Sequence, residues 1–510
     1  MTDPGPNTPN SAQNEGFSYR SLLRNYISLT GLALAVVALA NIIVLFIIDV
    51  TSAEPSPYLG ILAYMVFPGF LIAGLALVGF GVWRERNRRL QSLPAGAKLP
   101  TIDLNQPKQR SRLEFFVAFV FVFILLSAVG SYRAYEFTDS TRFCGQLCHT
   151  VMHPEFTAHN GSAHARVTCV ECHVGTGASW YVKSKMSGLR QVVKTVLNTY
   201  PRPIETPVAN LRPASQTCEQ CHWPRRFWGA QLKVFDQFAS DEKNTPSQIR
   251  LLIKTGGGDQ RYGETAGIHW HMNIANKIEY RSDPKRQTMS WVRLTDSNGN
   301  VTEYTAAGAD PAAISKLEQR RMDCIDCHNR PTHVYTPPDR AVNQAMANNR
   351  ISPNLPFAKQ QGVQVLTAEY KTTAQAMAAI AQQIPAFYQE KYPQLASTHA
   401  GDIQNMVMEL QRIFRDNIFP EMKVDWRTHP DNVGHYYFNG CFRCHDGNHT
   451  SKDGKVITKN CNACHTVLGQ EEGVLPAAVV NTAMAFKHPI DLGDLGSVNC
   501  SDCHSGGVGP

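Results

Sequence analysis

The chain of 510 residues holds fourteen cysteines, and all of them fall into seven close pairs, each followed at once by a histidine. The pairs are Cys144/Cys148, Cys169/Cys172, Cys218/Cys221, Cys324/Cys327, Cys441/Cys444, Cys461/Cys464 and Cys500/Cys503. The histidines that follow are His149, His173, His222, His328, His445, His465 and His504. Six signatures read Cys-x-x-Cys-His, whereas the first sets Gly145, Gln146 and Leu147 between its cysteines. The chemistry open to this pattern is covalent haem attachment: two thioethers hold the vinyl groups, and the adjacent imidazole reaches the iron from the proximal side. A zinc knuckle or a redox dithiol shares part of one signature, and a disulfide is the plainer reading of the first pair. Six repeats of one form, with no cysteine left over, point instead to seven c-type haems.

Eleven of the eighteen histidines remain: His153, His159, His164, His269, His271, His333, His399, His429, His435, His449 and His488. A haem that only carries electrons usually has both axial positions filled. Eleven histidines suffice for seven such sites, and most stand close to a signature. His435, His449 and His488 are distal candidates by proximity to the last three signatures, with His429 in reserve. His399 lies far from any signature and reads as a surface residue.

The elements that must carry these groups begin in a membrane. Residues 1–19, rich in Pro, Asn, Ser and Gly, read as a disordered lead. Apolar stretches at Tyr26–Ile48, Tyr58–Trp83 and Phe115–Tyr135 are each long enough to span a bilayer as a helix. Between the second and third stand Arg84, Arg86, Arg88, Arg89, Lys98, Lys108, Arg110 and Arg112, against only Glu85 and Asp103. The first loop carries Asp49 and Glu54 and no basic residue. Positive-inside then puts the N-terminus and the basic loop in the cytoplasm and everything after residue 136 on the other side. Covalent haem is attached outside the bacterial cytoplasmic membrane, so topology and haem chemistry agree. The formal charge of +7 is mild, and no basic block suggests nucleic acid.

The expected fold is mainly α with sparse regular structure: three transmembrane helices, then a periplasmic multihaem region with a small β-hairpin insertion. The hairpin is predicted at Ser290–Leu294 and Val301–Thr305, flanking Asp296-Ser297-Asn298-Gly299. Helical periodicity marks Thr367–Gln382 and Asp402–Asp416, the latter with a core stripe of Met406, Leu410 and Ile413. The divisions expected are a lead (1–19), an anchor (20–136), a four-haem domain (137–335) and a helical three-haem domain (336–510).

From the end of the third span to His333 the chain resembles the NapC/NirT family of membrane-anchored multihaem cytochromes, which take electrons from quinol. The resemblance rests on Cys144–Met152, on Ser162-Ala163-His164 ahead of Cys169–His173, on Trp180–Lys183, and on Cys324–His333. It implies Met152 as a ligand of the first haem, His164 and His333 as distal ligands, and His269 or His271 in the same role upstream of the fourth signature. It also matches a family lysine to Lys183 or Lys185. The acid expected seven residues after Lys183 is Arg190 here, and Glu155 could supply a carboxylate instead. The family anchor is typically one span, not three, and the last three haems lie outside the family core. As a whole, the chain looks like the larger seven-haem inner-membrane members.

The leading functional expectation is a quinol dehydrogenase and electron conduit, taking electrons from menaquinol or ubiquinol and passing them to a periplasmic cytochrome or reductase. Phe137–Phe143 tether the first signature to the third span, and seven residues extend at most about 25 Å. Quinol oxidation releases protons, so Lys183, Lys185 and Glu155 are candidate catalytic groups. An electron-relay subunit within a larger membrane complex is the second reading, favoured by the two extra spans. A terminal oxyanion reductase is the third, and it needs an open iron position that the spare histidines argue against.

Overall fold

The computed structural model describes residues 22–51, 62, 66–90, 103–208, 211–257, 266–473, 483–491, 493 and 498–507, except 24, 148, 176 and 177. It divides into two compact units, residues 1–139 with 176–183, and residues 140–175 with 184–510.

The first unit holds three long helices, α1 (Tyr26–Thr51), α2 (Phe67–Leu90) and α3 (Pro107–Asp139). All three are long and apolar enough to cross a membrane. Hydrocarbon leaves backbone N–H and C=O groups no partner but each other, which is why such stretches are helical. α1 and α2 pack through small residues. A Cβ added at Gly31 would stand 2.6 Å from the Gly74 carbonyl, and one at Gly74 would stand 2.7 Å from the Ala35 nitrogen. Ser28, buried between them, donates to the Val78 carbonyl at 3.3 Å. Such close approach is how helices associate where no hydrophobic effect separates them from lipid. On α3 the rings of Phe115, Phe119 and Phe121 are exposed, as a lipid-facing helix requires. The second span is seen from Phe67; residues 58–61 of the expected Tyr58–Trp83 lie outside the described residues.

In the second unit, α4 (His149–Asn160) and the amphipathic α5 (Ala178–Val196) from residue 184 on precede two sheets and a helical layer. The layer consists of α6 (Pro338–Ala347), α7 (Ala358–Thr367), α8 (Thr373–Lys391) and α9 (Ala400–Asn417). Its core buries Val342, Ile380, Ile384, Met406, Leu410 and Phe414, with Val151 of α4 joining them. The stripe of Met406, Leu410 and Ile413 is core, as its spacing requires. The expected Thr367–Gln382 helix begins later and runs longer. Thr372 accepts the Gln375 N–H at 3.2 Å as an N-cap, and this starts α8.

The β structure exceeds the single small hairpin expected. β4 (Met289–Thr295) and β5 (Val301–Ala306) do form that hairpin, with Trp291 opposite Thr305. Its turn is closed by Asp296, which accepts from Asn298 N and Asn300 N, and by Gly299 at φ +81°. The hairpin is the middle of a five-stranded sheet in the order β6-β3-β4-β5-β7, with β3 at Lys277–Ser282, β6 at Gln319–Arg321 and β7 at His449–Ser451. A second sheet, β1-β2-β8, joins Gln231–Phe238, Pro246–Ile253 and His465–Glu472. Each sheet is thus completed by a strand from beyond residue 448. These pairings are long-range, and no local turn signal announces them.

Candidate functional site

Six of the seven signatures start on a single helical turn: Cys169–His173, Cys218–Gln220, Cys324–Cys327, Gly440–Arg443, Cys461–Ala463 and Cys500–Cys503. In four of them the histidine N–H closes the turn onto the carbonyl of the first cysteine: His222 to Cys218 (2.8 Å), His328 to Cys324 (2.8 Å), His445 to Cys441 (3.0 Å) and His504 to Cys500 (2.8 Å). One turn brings both thiols to one side and sets the imidazole beside them. Acidic side chains cap several of these turns. Asp323 accepts from Ile325 N at 3.0 Å, and Asp326 reaches back to Asp323 N at 2.8 Å. Cys148 and the side chain of His149 lie outside the described residues.

Each of the other six signature histidines faces one of the spare histidines. The pairs are His173 with His333 (ring centroids 6.3 Å apart), His222 with His164 (6.0 Å) and His328 with His269 (6.4 Å). His445 pairs with His271 (5.8 Å), His465 with His435 (6.1 Å) and His504 with His488 (6.1 Å). Metal–imidazole bonds of about 2 Å on each side of one ion set ring centroids roughly 6 Å apart. Rings packed only against each other would meet at shorter distances and in no regular pairing with the signatures.

Hydrogen bonds hold many of these rings at Nδ1. His269 donates to Thr255 O (2.7 Å), His271 to Ile268 O (2.6 Å), His445 to Thr458 O (2.7 Å), His488 to Ile490 O (2.9 Å) and His333 to Glu155 O (3.1 Å). His504 Nδ1 is hydrogen-bonded to the Tyr436 hydroxyl at 3.1 Å. A carbonyl acceptor at Nδ1 fixes the tautomer and leaves Nε2 with its lone pair, the arrangement a metal ligand needs. Burial pushes the basicity of His173, His271, His328, His435, His465 and His504 down, and that of His333 to about 4. For these seven rings burial thus favours the neutral form, the one that ligates.

The thiols also follow one another in space in chain order. A hydrogen bond with Cys144 draws the Cys169 thiol down to about 6. Burial and then Cys218 push Cys172 up, and burial and then Cys218 push Cys324 up to about 12. Cys327 goes up to about 11 through burial and then Cys441, which also neighbours Cys464. Burial raises Cys500, with Cys461 adding to it. Thioether formation removes these titrations; what they record is that consecutive signatures are neighbours.

Residues 106–222 match the N-terminal region of the NapC/NirT cytochrome c family. The cytochrome c-type protein ImcH of Geobacter sulfurreducens is 45% identical over 500 residues, covering 96% of this chain and 98% of that protein. The chain belongs to the NapC/NirT cytochrome c family. The cytochrome c-type protein NrfH of Wolinella succinogenes is 30% identical over 115 residues, 22% of this chain and 63% of NrfH. No solved structure gives a significant match. As a NapC/NirT cytochrome, the chain is a membrane-anchored electron-transfer protein with covalently bound c-type haem. Its own residues fit that group: cysteine pairs on single turns, a histidine beside each, and an opposed imidazole at the spacing an iron would set.

The other expected residues have these surroundings. Both ring nitrogens of His449 are engaged, Nδ1 with Asp446 (2.9 Å) and Nε2 with the Met289 carbonyl (2.9 Å), so the ring secures β7 and faces no signature histidine among the described residues. Met152 is half-buried against the helical core. Glu155 is gripped by Arg330 (3.4 Å) and by His333 Nδ1 (3.2 Å) in a largely buried cluster. Lys183 is exposed on α5 with its ammonium 5.0 Å from the Trp180 ring centre, and Lys185 stands two residues on. His429 is buried, with Nδ1 on Thr206 (3.1 Å), and meets no signature histidine among the described residues. Sequence reading allowed one of His269 and His271 a partner, whereas both have one. The signal was present in the His-x-His spacing, but nothing local says that the second ring serves the fifth signature.

Proposed function

We propose that the chain is a seven-haem cytochrome of the bacterial cytoplasmic membrane. In this reading it takes electrons from menaquinol or ubiquinol and delivers them to a periplasmic cytochrome or reductase, with the N-terminus cytoplasmic. The observation that carries the reading is the set of six opposed imidazole pairs at 5.8–6.4 Å, one for each signature whose side chains are described. When bound, each haem iron accepts and releases one electron. The residues supply the rest. Cys144, Cys148, Cys169, Cys172, Cys218, Cys221, Cys324, Cys327, Cys441, Cys444, Cys461, Cys464, Cys500 and Cys503 anchor seven haems. At the six signatures whose histidine faces a second imidazole, the pair would fill both axial positions of a bound haem, which would exclude small ligands there and disfavours a terminal reductase at those sites.

The neighbouring order of the thiols supports one path in chain order, entering at Cys144/Cys148 and leaving at Cys500/Cys503. Entry at the first signature is supported by its short tether to α3. The exposed apolar side chains of α5, Met186, Leu189, Val193 and Val196, alternate with Lys185, Arg190 and Lys194 and suit the interface of a bilayer with anionic lipid. Lys183 and Lys185 are the groups proposed to meet the protons that quinol releases. Glu155, held by Arg330 and His333, serves to orient the His333 ring.

Purified protein in detergent should be reduced by a short-chain quinol without any partner. Reduction by dithionite but not by quinol would sink the dehydrogenase reading and leave a relay subunit. Lys183→Ala with Lys185→Ala should slow the quinol reaction and spare the dithionite reaction.

A further inference from the structure

The helical turn Ile268–Met272 carries two histidines that face two different signatures. His269 lies 6.4 Å from His328 with the rings 9° from parallel, and His271 lies 5.8 Å from His445 with the rings at 88°. The turn is a 3-10 helix, with three residues per turn, so side chains two residues apart leave its axis about 120° apart. Each ring is then locked from behind, His269 on the Thr255 carbonyl and His271 on the Ile268 carbonyl.

The turn is also bolted to the segment before it. Ile268 N donates to Lys254 O and His269 N to Gly256 O, each at 2.9 Å, while Lys254 N donates to the carbonyl of Cys464 at 2.8 Å. Gly257, at φ +129°, lets the backbone of that segment press against Trp270 where no Cβ fits. Trp270 itself packs against the core of the five-stranded sheet beside Tyr280 and Met289.

We propose that His271 is the distal ligand of the haem at Cys441/Cys444, so that one rigid turn ligates the fourth and fifth haems at once and joins the four-haem and three-haem segments. The site lies outside the region that the family match covers, residues 106–222. It rests on the seven-haem reading above, which fails separately if the intact wild-type mass shows fewer than seven haems.

The test uses the full-length holoprotein in detergent, read by intact mass, electron paramagnetic resonance and carbon monoxide binding. His271→Ala should keep all seven haems, convert one of them to high spin and bind one carbon monoxide per chain after reduction. The double variant His269→Ala/His271→Ala should show two such haems. His449→Ala should leave the wild-type spectrum unchanged. Should the alanine variant fail to accumulate, His271→Met decides, through one haem with methionine–iron absorption or a high-spin signal. A wild-type spectrum in His271→Ala or His271→Met overturns the assignment, as does a high-spin haem in His449→Ala beyond any that the wild type shows.

Discussion

At the scale of single residues, the second coordination layer of His333 is unusually charged. Glu155 accepts from its Nδ1 by both backbone and side chain, while Arg330 binds the same carboxylate. A carboxylate at Nδ1 pushes electron density toward Nε2 and makes the ring a stronger donor to iron. Glu155→Gln should therefore raise the potential of the haem at Cys169/Cys172 with the low-spin state retained, as a spectroelectrochemical titration would show. His333→Ala should instead give one high-spin haem among seven; an unchanged spectrum would remove His333 from the ligands. A different residue controls stability. Lys359 is buried and its ammonium donates to the Asp339 carbonyl; burial pulls it down from 10.5 to about 8, with Asp339 opposing. The unfolded chain thus binds more protons than the folded one between those values, so stability should rise from pH 8 to 10.5. Lys359→Met should flatten that rise, and thermal melting of both proteins across the range checks it.

At the scale of elements, legibility followed periodicity. The stripe on α9 was readable because Met406, Leu410 and Ile413 recur every three or four residues, and all three are buried. Leu410→Ala should cost about 2–5 kcal/mol, measured by denaturant unfolding, because Phe414 and Val342 cannot close over the void. The hairpin was readable from Asp296–Gly299. β1 and β2 were not, since β2 completes its ladder with β8, with Ile253 opposite His465. The distal histidines were half legible for the same reason. His333 and His164 stand beside signatures but face the histidines of different ones, and adjacency in sequence gives no sign that the His449 ring is taken up by Asp446 and Met289. In the anchor, Gly74→Leu should separate α1 from α2, because its first carbon already meets Ala35. Loss of a crosslink between cysteines placed at Ser28 and Val78 would report it.

At the scale of the whole molecule, the seven signatures made the cofactor legible and the apolar runs made the anchor legible. The way the C-terminal segment is sewn in was not. β7 completes one sheet and β8 the other, and Trp426 Nε1 donates to Ser505 O at 2.8 Å beside the last signature. The last three signatures should therefore not detach as an independent module. A chain ending at residue 335 should expose β2 and β5 as bare edges and aggregate, which light scattering after purification would detect. The intact mass should show seven haems; six would mean that the three-residue spacer after Cys144 does not accept one.

The imidazole pairs cross one another along the chain. His164 precedes His173, yet His164 faces His222 while His173 faces His333, and the pairs begun at His269 and His271 interleave in the same way. A chain leaving the ribosome N-terminus first delivers Cys169 and Cys172 long before His333. Were haem attached to that pair as soon as it emerged, His173 would have no opposed imidazole until His333 followed the fourth signature. Assembly would then pass through an interval that the finished protein conceals, its length fixed by the stretch of chain between Cys172 and His333.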